Sequence, residues 1–480
     1  GHEPDARELA HLADLFRLRA DTHADRRALD DGLVQVTYSE LASRAQSVAR
    51  RLQELDVHPG DRVVLQGRNR VAWVVAAFGV LTAGATLAPL GFGMPEAERD
   101  RLLVALAPSV VIAEEGRSDL SFEDVMALAP IEPSESIGDP DVAALVLSSS
   151  GTTGAVKQVA MTHRQLLRLY RDVAEALGIV EDDTMLAVPP LSHSLGFNGI
   201  LLVAMIAGAG VRLCPTYRQT ETPALIVDED VTVLSGPPTL FHDLERHVGV
   251  EGLRGAARLA VVGGQTVMVS ELLATGRRLG LREVVVGYGM TEACGTIALT
   301  RIGVDAEVGS HLALSVMPGI DVRVGSTDVP PLDDVPGPIL VRGYNVVPAE
   351  QTGGWFDTGD LGLLDANGHL MVVGRSTDRV IVSGFNVHPR DVERVLASHP
   401  GVEQVVVVGI PDQRTGERLV ACVVPHRGGL DVDSLQSYAR EHLSGYQVPA
   451  VIVPFVELPL TASGKVARTE LIEITKQTLA

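Results

Sequence analysis

The sequence predicts an α/β fold of more than one domain. Short apolar runs alternate with helical patterns along most of the chain. Several of those runs end in glycine turns, the habit of parallel strands covered by helices. Beyond about residue 360 the texture changes to short strands and polar turns. At 480 residues the chain is also too long for one ordinary core.

The elements follow in order. Residues 38–55 carry apolar positions at Leu41, Ala45, Val48 and Leu52, one face of a helix, with Ser39 as its expected N-cap. Residues 62–66 read as a strand, as does 142–147, which runs into a glycine-rich turn. Residues 259–262 and 283–286 are similar buried strands, each followed by glycine. The final hundred residues read as a separate α+β unit. Its helices fall at 389–397 and 432–443, and its strands at 402–410 and 419–424. The domain boundary is placed between 375 and 376, giving domains 1–375 and 376–480.

Composition narrows the function. A net charge of −21 supplies no general attraction for nucleic acid or anionic membrane, so neither is expected as a partner. Three scattered cysteines, Cys214, Cys294 and Cys422, exclude a disulfide framework or zinc cluster. With no secretory leader legible, a cytoplasmic location is expected. Residues 71–95 and 184–211 lack Asp, Glu, Lys and Arg and are long enough to span a bilayer. Gly79, Gly84 and Pro89 interrupt the first, and Pro189, Pro190 and Asn198 the second, so both read as buried helix–turn–strand units. Of 40 basic residues only Lys157, Lys465 and Lys476 are lysine, and the first two sit in glycine-bearing motifs.

The strongest motif is Ser148-Ser-Ser-Gly-Thr-Thr-Gly-Ala-Val-Lys157. A buried strand leads into two glycines, crowded hydroxyls and a lysine. Converging backbone N–H groups with an ammonium suit a polyphosphate. The spacing is not that of a Walker A loop, because Gly151, Gly154 and Lys157 are each three apart. The segment resembles the phosphate loop of the adenylate-forming superfamily: acyl- and aryl-CoA synthetases, peptide-synthetase adenylation domains and beetle luciferases. The resemblance is nearest to the acyl/aryl-CoA ligases. Two positions depart from the usual pattern, with Val156 in place of proline and Gln158 in place of glycine.

Other segments match that family in its order. Residues 36–41 and 81–90 resemble two early structural motifs. Gly287-Tyr-Gly-Met-Thr-Glu292 resembles the adenine and magnesium motif. The resemblance implies that Tyr288 stacks on adenine between Gly287, Gly289 and Met290, that Thr291 contacts the α-phosphate, and that Glu292 helps hold Mg²⁺. It also places Ser149, Ser150, Gly151, Thr152, Thr153 and Gly154 around the phosphates, with Gly264 and Gln265 at the nucleotide. Thr358-Gly-Asp360 resembles the ribose motif, assisted by Arg375. Thr377 and Asp378 fall where the family has its hinge, with Thr377 at the usual Asp or Lys. Ser383 and Gly384 resemble the loop that admits a pantetheine arm. Pro459-Leu-Thr-Ala-Ser-Gly-Lys465-Val-Ala-Arg468 resembles the segment whose lysine, here Lys465, bridges the substrate carboxylate and the α-phosphate.

The resemblance, which runs from about residue 12 to 468, implies a large N-terminal domain with a β-barrel-like subdomain and a small mobile C-terminal domain. It implies ATP, Mg²⁺ and coenzyme A as partners of a carboxylic acid, with an acyl carrier protein as the alternative acceptor. Residues 191–198 lack the carboxylate that amino-acid adenylation domains carry, which disfavours an amino acid. His193, also a candidate catalytic group, is then expected in the acid pocket with Phe197, Gly263, Gly264, Gly289 and Cys294. Glycines there suggest room for a bulky or ring-bearing acid, and the acid is expected to be aryl, fatty or polycyclic. An oxidase of the luciferase type and a non-catalytic nucleotide-binding regulator are the other readings. Retention of Lys157, Glu292 and Lys465 argues against the regulator.

Overall fold

The computed structural model describes residues 9–134, 138–150, 156–249, 251–263, 269–306, 312–325, 336–347, 354–375, 380–382, 385–387, 389–412, 416–426, 429–443, 445–461 and 464–479. The chain forms two compact units. One comprises Gly1–Val308, Leu314–Asp321 and Arg342–Phe356, and the other Gly309–Ala313, Val322–Val341 and Asp357–Ala480. The boundary read from the sequence, between 375 and 376, falls inside the last of these stretches.

The first unit is built on two largely parallel sheets. In the larger, the strands Glu283–Tyr288, Leu259–Val262, Val233–Gly236, Thr184–Ala187, Gly210–Leu213 and Arg27–Asp30 lie side by side and parallel. Antiparallel strands close both edges: Ala298–Gly303 and Ser315–Val316 on one side, Gln35–Thr37 on the other. The inner strands are buried on both faces, which is why they read as unbroken apolar runs. Thr184–Ala187 has Gly210–Leu213 on one side and Val233–Gly236 on the other. Strand order therefore reverses there, the feature that opens a crevice at the carboxyl ends of a parallel sheet.

The second sheet runs Leu120–Ser121, Val110–Ala113, Arg62–Gln66, Thr86–Leu90, Ala143–Ser150 and Val156–Thr162. All its pairings are parallel except the last, a hairpin. The charge-free stretch 71–95 becomes helix Val71–Thr82, buried from Val71 to Leu81, followed by the buried strand Thr86–Leu90. The stretch 184–211 becomes strand Thr184–Ala187, a π-helical segment Leu195–Leu202 and a short helix Val203–Ala207. Among the described residues no helix is long and apolar enough to cross a membrane. The helix expected over 38–55 is Tyr38–Glu54, and its N-cap is Thr37, not Ser39. The Thr37 hydroxyl accepts from the Glu40 N–H while the Glu40 carboxylate takes the Thr37 N–H. That reciprocal box outcompetes a lone serine one residue inside the helix.

The second unit contains most of a four-stranded sheet, Ile320–Val324, Gly337–Gly343, Phe356–Leu364 and Leu370–Arg375, where a barrel-like subdomain was expected. It also contains a five-stranded sheet. There the hairpin Val402–Asp412 and Gly416–Pro425 is extended by Val380–Val382, Phe385–Val387 and Val451–Pro454. Helices Pro389–Ala397 and Val432–His442 cover one face through Val392, Leu396, Leu435 and Ala439. Helix Arg468–Leu479 covers the other through Leu471.

The N-terminal helix Leu12–Thr22 is pinned by two stacked histidines. The rings of His11 and His163 lie 3.7 Å apart, both buried. The Nδ1 of His11 accepts from the Ala13 N–H at 3.2 Å, and that of His163 from the Leu12 N–H at 3.3 Å. Burial lowers both basicities, and takes His163 to about 3 with a smaller push from His11. The unfolded chain therefore takes up protons that the fold refuses. The His163 contribution to stability should be level above pH 6.5, then fall toward pH 3 by about 1.4 kcal/mol per pH unit, with His11 acting in the same direction. Denaturant unfolding from pH 7.5 to 5 should lose more stability with falling pH in the wild type than in His163→Gln; equal slopes would remove His163 from the acid response.

Candidate active site

The segments singled out in the first unit lie at the carboxyl ends of its parallel strands. Ser149 and Ser150 end the strand Ala143–Ser150. His193 follows Thr184–Ala187, Gly263 follows Leu259–Val262, and Tyr288 ends Glu283–Tyr288. Backbone polar groups are unpaired at such ends, and ligands collect there.

The second sheet's hairpin meets the first sheet's turn through one ion pair. Lys157 stands opposite Ser149 in the hairpin register, and Val156 opposite Ser150. The Lys157 ammonium lies 2.6 Å from a carboxylate oxygen of Glu292. Both side chains are partly exposed, 39% and 21%, so the pair borders an accessible space rather than a core. The two departures from the family pattern fit this hairpin. Val156 keeps a backbone N–H that proline would lack and packs beside the Leu102 and Leu106 cluster. The Gln158 amide donates to the Ala105 carbonyl at 3.0 Å, tying the hairpin to the end of helix Glu96–Leu106.

The turn that carries Thr291 and Glu292 is held by its carbonyls, one after another. Thr291 O accepts from the Cys294 N–H at 3.0 Å, and Glu292 O from the Val347 N–H at 3.0 Å. Ala293 O accepts from the Asn345 amide at 3.1 Å. Cys294 O accepts from the Tyr170 hydroxyl at 2.9 Å and the Asn198 amide at 3.4 Å. Burial pushes the Tyr170 phenol's pKa well up, so it stays a donor. Tyr170, Asn198 and Asn345 are thus positioning groups that motif reading did not assign. Their partners lie 124, 96 and 52 residues away, and no local pattern announces them.

The acid-pocket candidates separate into two environments. His193 is exposed, with its backbone N–H on Pro190 O. Phe197 and Cys294 are buried, and the Phe197 ring packs edge-on against Trp73 at 6.2 Å. Burial pushes the Cys294 thiol up to about 12, so it is no nucleophile. A Cβ on Gly263 would come no nearer than 3.7 Å to Gly287 O, an ordinary contact.

In the second unit, Asp360 and Arg375 face each other directly across antiparallel strands. Asp360 is buried, and its N–H donates to the Thr358 hydroxyl, which itself donates to Ile339 O at 2.9 Å. Lys465 is exposed on a tight hairpin. Gly151, Thr152, Thr153, Gly154, Gly264, Gln265, Thr377, Asp378, Ser383 and Gly384 lie outside the described residues.

A family model described as "AMP-binding enzyme" matches residues 16–349, and one described as "AMP-binding enzyme C-terminal domain" matches 391–465. The chain belongs to the AMP-binding enzymes. Among its relatives is the 3-[(3aS,4S,7aS)-7a-methyl-1,5-dioxo-octahydro-1H-inden-4-yl]propanoyl:CoA ligase of Rhodococcus jostii, 31% identical over 93% of this chain and 95% of that protein. A feruloyl-CoA synthase of an Amycolatopsis species is 32% identical over 95% of this chain and 96% of its own. The solved o-succinylbenzoate coenzyme A synthetase of Bacillus subtilis, in complex with ATP and magnesium ion, is 27% identical. It superposes with a TM-score of 0.81 over 95% of this chain and 98% of its own.

One glycine of this AMP-binding enzyme is fixed by contact. A Cβ on Gly289 would stand 2.0 Å from Gly295 O, inside the loop that carries Glu292. Gly289→Ala must therefore move that loop. ATP binding measured by calorimetry should weaken, and turnover should fall on the order of a hundredfold. Wild-type affinity in a folded variant would show that the loop plays no part in nucleotide binding.

Proposed function

We propose that this AMP-binding enzyme joins a carboxylic acid to coenzyme A through an acyl-adenylate. A carboxylate oxygen of the acid bonds to the α-phosphorus of ATP as the bond to the bridging oxygen breaks, and pyrophosphate leaves with the electron pair. The thiol sulfur of coenzyme A then bonds to the acyl carbon. The mixed anhydride's carbon–oxygen bond breaks, AMP leaves and the thiol proton passes to solvent. Activation as an adenylate divides one difficult acyl transfer into two easier ones.

The observation that carries this reading is the Lys157–Glu292 pair at the meeting of the two strand ends. In the proposed role Lys157 binds the β- and γ-phosphates and Tyr288 stacks on adenine. Thr291 donates to the α-phosphate, and Asp360 accepts the ribose hydroxyls. Lys465 stabilises the charge that passes between the acid's carboxylate and the α-phosphate. Glu292 suits a magnesium ion: its carboxylate is a hard oxygen ligand already turned to a cation, the Lys157 ammonium. Bound there, Mg²⁺ would neutralise charge on the triphosphate. Among the described residues no group of three or more His, Cys, Asp or Glu could hold a metal. Nucleotide oxygens and water are proposed to complete its shell.

Free coenzyme A is the proposed acceptor and a ring-bearing acid the proposed substrate. The support is the full-length likeness to proteins named for ring-bearing acyl groups, an indenyl propanoyl and a feruloyl. His193, Gly263 and Gly289 are the proposed neighbours of the ring. Residues 376–480 are proposed to turn about Thr377 and Asp378 between the two half-reactions, with Ser383 and Gly384 beside the incoming thiol.

Acid-dependent ATP–pyrophosphate exchange over aryl, polycyclic and fatty acids tests the reading. Exchange should appear with ring-bearing acids and fall on the order of a hundredfold or more in Lys465→Ala. Thioester formation from supplied acyl-AMP should persist in that variant. Absence of exchange with every acid, or full exchange in the variant, would contradict the assignment.

A further inference from the structure

Lys465 is set by its hairpin, and the hairpin is bolted at its base. Thr461 and Lys465 close the turn, with the Thr461 N–H on Lys465 O at 2.6 Å and the Lys465 N–H on the Thr461 hydroxyl at 3.1 Å. Gly464 holds a positive φ of 77°, which L side chains rarely adopt. Leu460 bridges Val466, and the Ala467 N–H donates to Pro459 O at 2.8 Å. The next residue, Arg468, opens helix Arg468–Leu479.

Arg468 reaches the edge of the five-stranded sheet. Its guanidinium pairs with Glu393 at 2.7 Å and donates to Val407 O at 3.1 Å. The same Glu393 oxygen accepts the Val407 N–H at 2.8 Å. Val407 lies in Val402–Asp412, which pairs with Gly416–Pro425 on one side and has no strand on the other among the described residues. An open edge leaves N–H and C=O groups unpaired. Here one ion pair satisfies both groups of a single residue. Glu393 comes from helix Pro389–Ala397 on one face of the sheet, and Arg468 from the helix on the other. Their side chains are only 14% and 28% exposed, so solvent screens the contact weakly.

We propose that Glu393 and Arg468, clasped around Val407, are positioning residues that hold Lys465 in its working geometry for acyl-adenylate formation. The inference rests on the function proposed for Lys465. Loosening the clasp frees the hairpin base, and the lysine then samples geometries in which its ammonium misses the charge it must stabilise. The second half-reaction makes no use of Lys465 and does not need the clasp.

The chain's composition supplies a clean probe, because Lys-C can cut only after Lys157, Lys465 and Lys476. Native proteolysis reports the population of locally open states. In Glu393→Gln and Arg468→Met, cleavage after Lys465 should accelerate about tenfold relative to cleavage after Lys157, about 1.4 kcal/mol of lost local stability. With an acid that supports wild-type exchange, both variants should lose about tenfold in adenylation. They should keep thioester formation from supplied acyl-AMP. Added to Lys465→Ala, neither should lower adenylation further, since the clasp acts through that lysine. Equal loss in both half-reactions, or a further loss on top of Lys465→Ala, would mean a merely structural role and overturn the proposal. Unchanged cleavage after Lys465 would overturn the anchoring itself. If the wild type shows no exchange, the functional reading fails while the cleavage comparison still decides the anchoring.

Discussion

The contact between the Lys157 ammonium and the Glu292 carboxylate joins the two sheets of the first unit at the ends where ligands gather. Its partners come from chain segments 135 positions apart in sequence, one on a hairpin and the other on a tight turn. Both groups are half-buried, so each has lost part of its hydration and each depends on the other's charge. Such a pair adds little to stability. In the proposed function its value is to hold the anion-binding Lys157 and the cation-binding Glu292 side by side before any ligand arrives, so that reorganisation on binding is small.

Preorganisation of that kind requires a stiff mount, and the mount is polar. Thr291 O is taken within the turn by the Cys294 N–H, and the next three carbonyls, Glu292 to Cys294, are each taken by a donor from elsewhere in the fold. Two of those donors, Asn345 and Asn198, are themselves completely buried. Each bond adds only about 1 kcal/mol net, yet leaving any of these groups unpaired would cost more. The second unit repeats the solution with an ion pair, since Glu393 and Arg468 close the open edge beside the lysine hairpin. In both places a side chain with a proposed catalytic role stands on a short turn whose backbone is clamped from a distance.

The parts legible in the sequence were those with local signatures. Buried parallel strands announced themselves as apolar runs ending in glycine, and the charge-free stretches were correctly read as helix, turn and strand. Lys157, Glu292 and Lys465 stood out because glycine-bearing motifs surround them. The residues that hold them did not. Tyr170, Asn198, Asn345 and Glu393 are ordinary polar residues inside helical or loop patterns, and only tertiary folding brings them to their carbonyl and amide partners. The N-cap at Thr37 was missed by two residues because the reciprocal bond to Glu40 decides it, not the serine nearest the apolar face. Phe197 and Cys294, expected beside the acid, have buried side chains.

The central claim is that Lys157 and Glu292 form one phosphate-and-cation site with separate tasks. Calorimetric titration of ATP, with and without Mg²⁺, tests it directly in the wild type, Lys157→Ala and Glu292→Gln. The account predicts that Mg²⁺ tightens ATP binding in the wild type, that Glu292→Gln abolishes this gain, and that Lys157→Ala weakens ATP binding with or without the metal. Full Mg²⁺ enhancement in Glu292→Gln, with unaltered ATP affinity in Lys157→Ala, would contradict it.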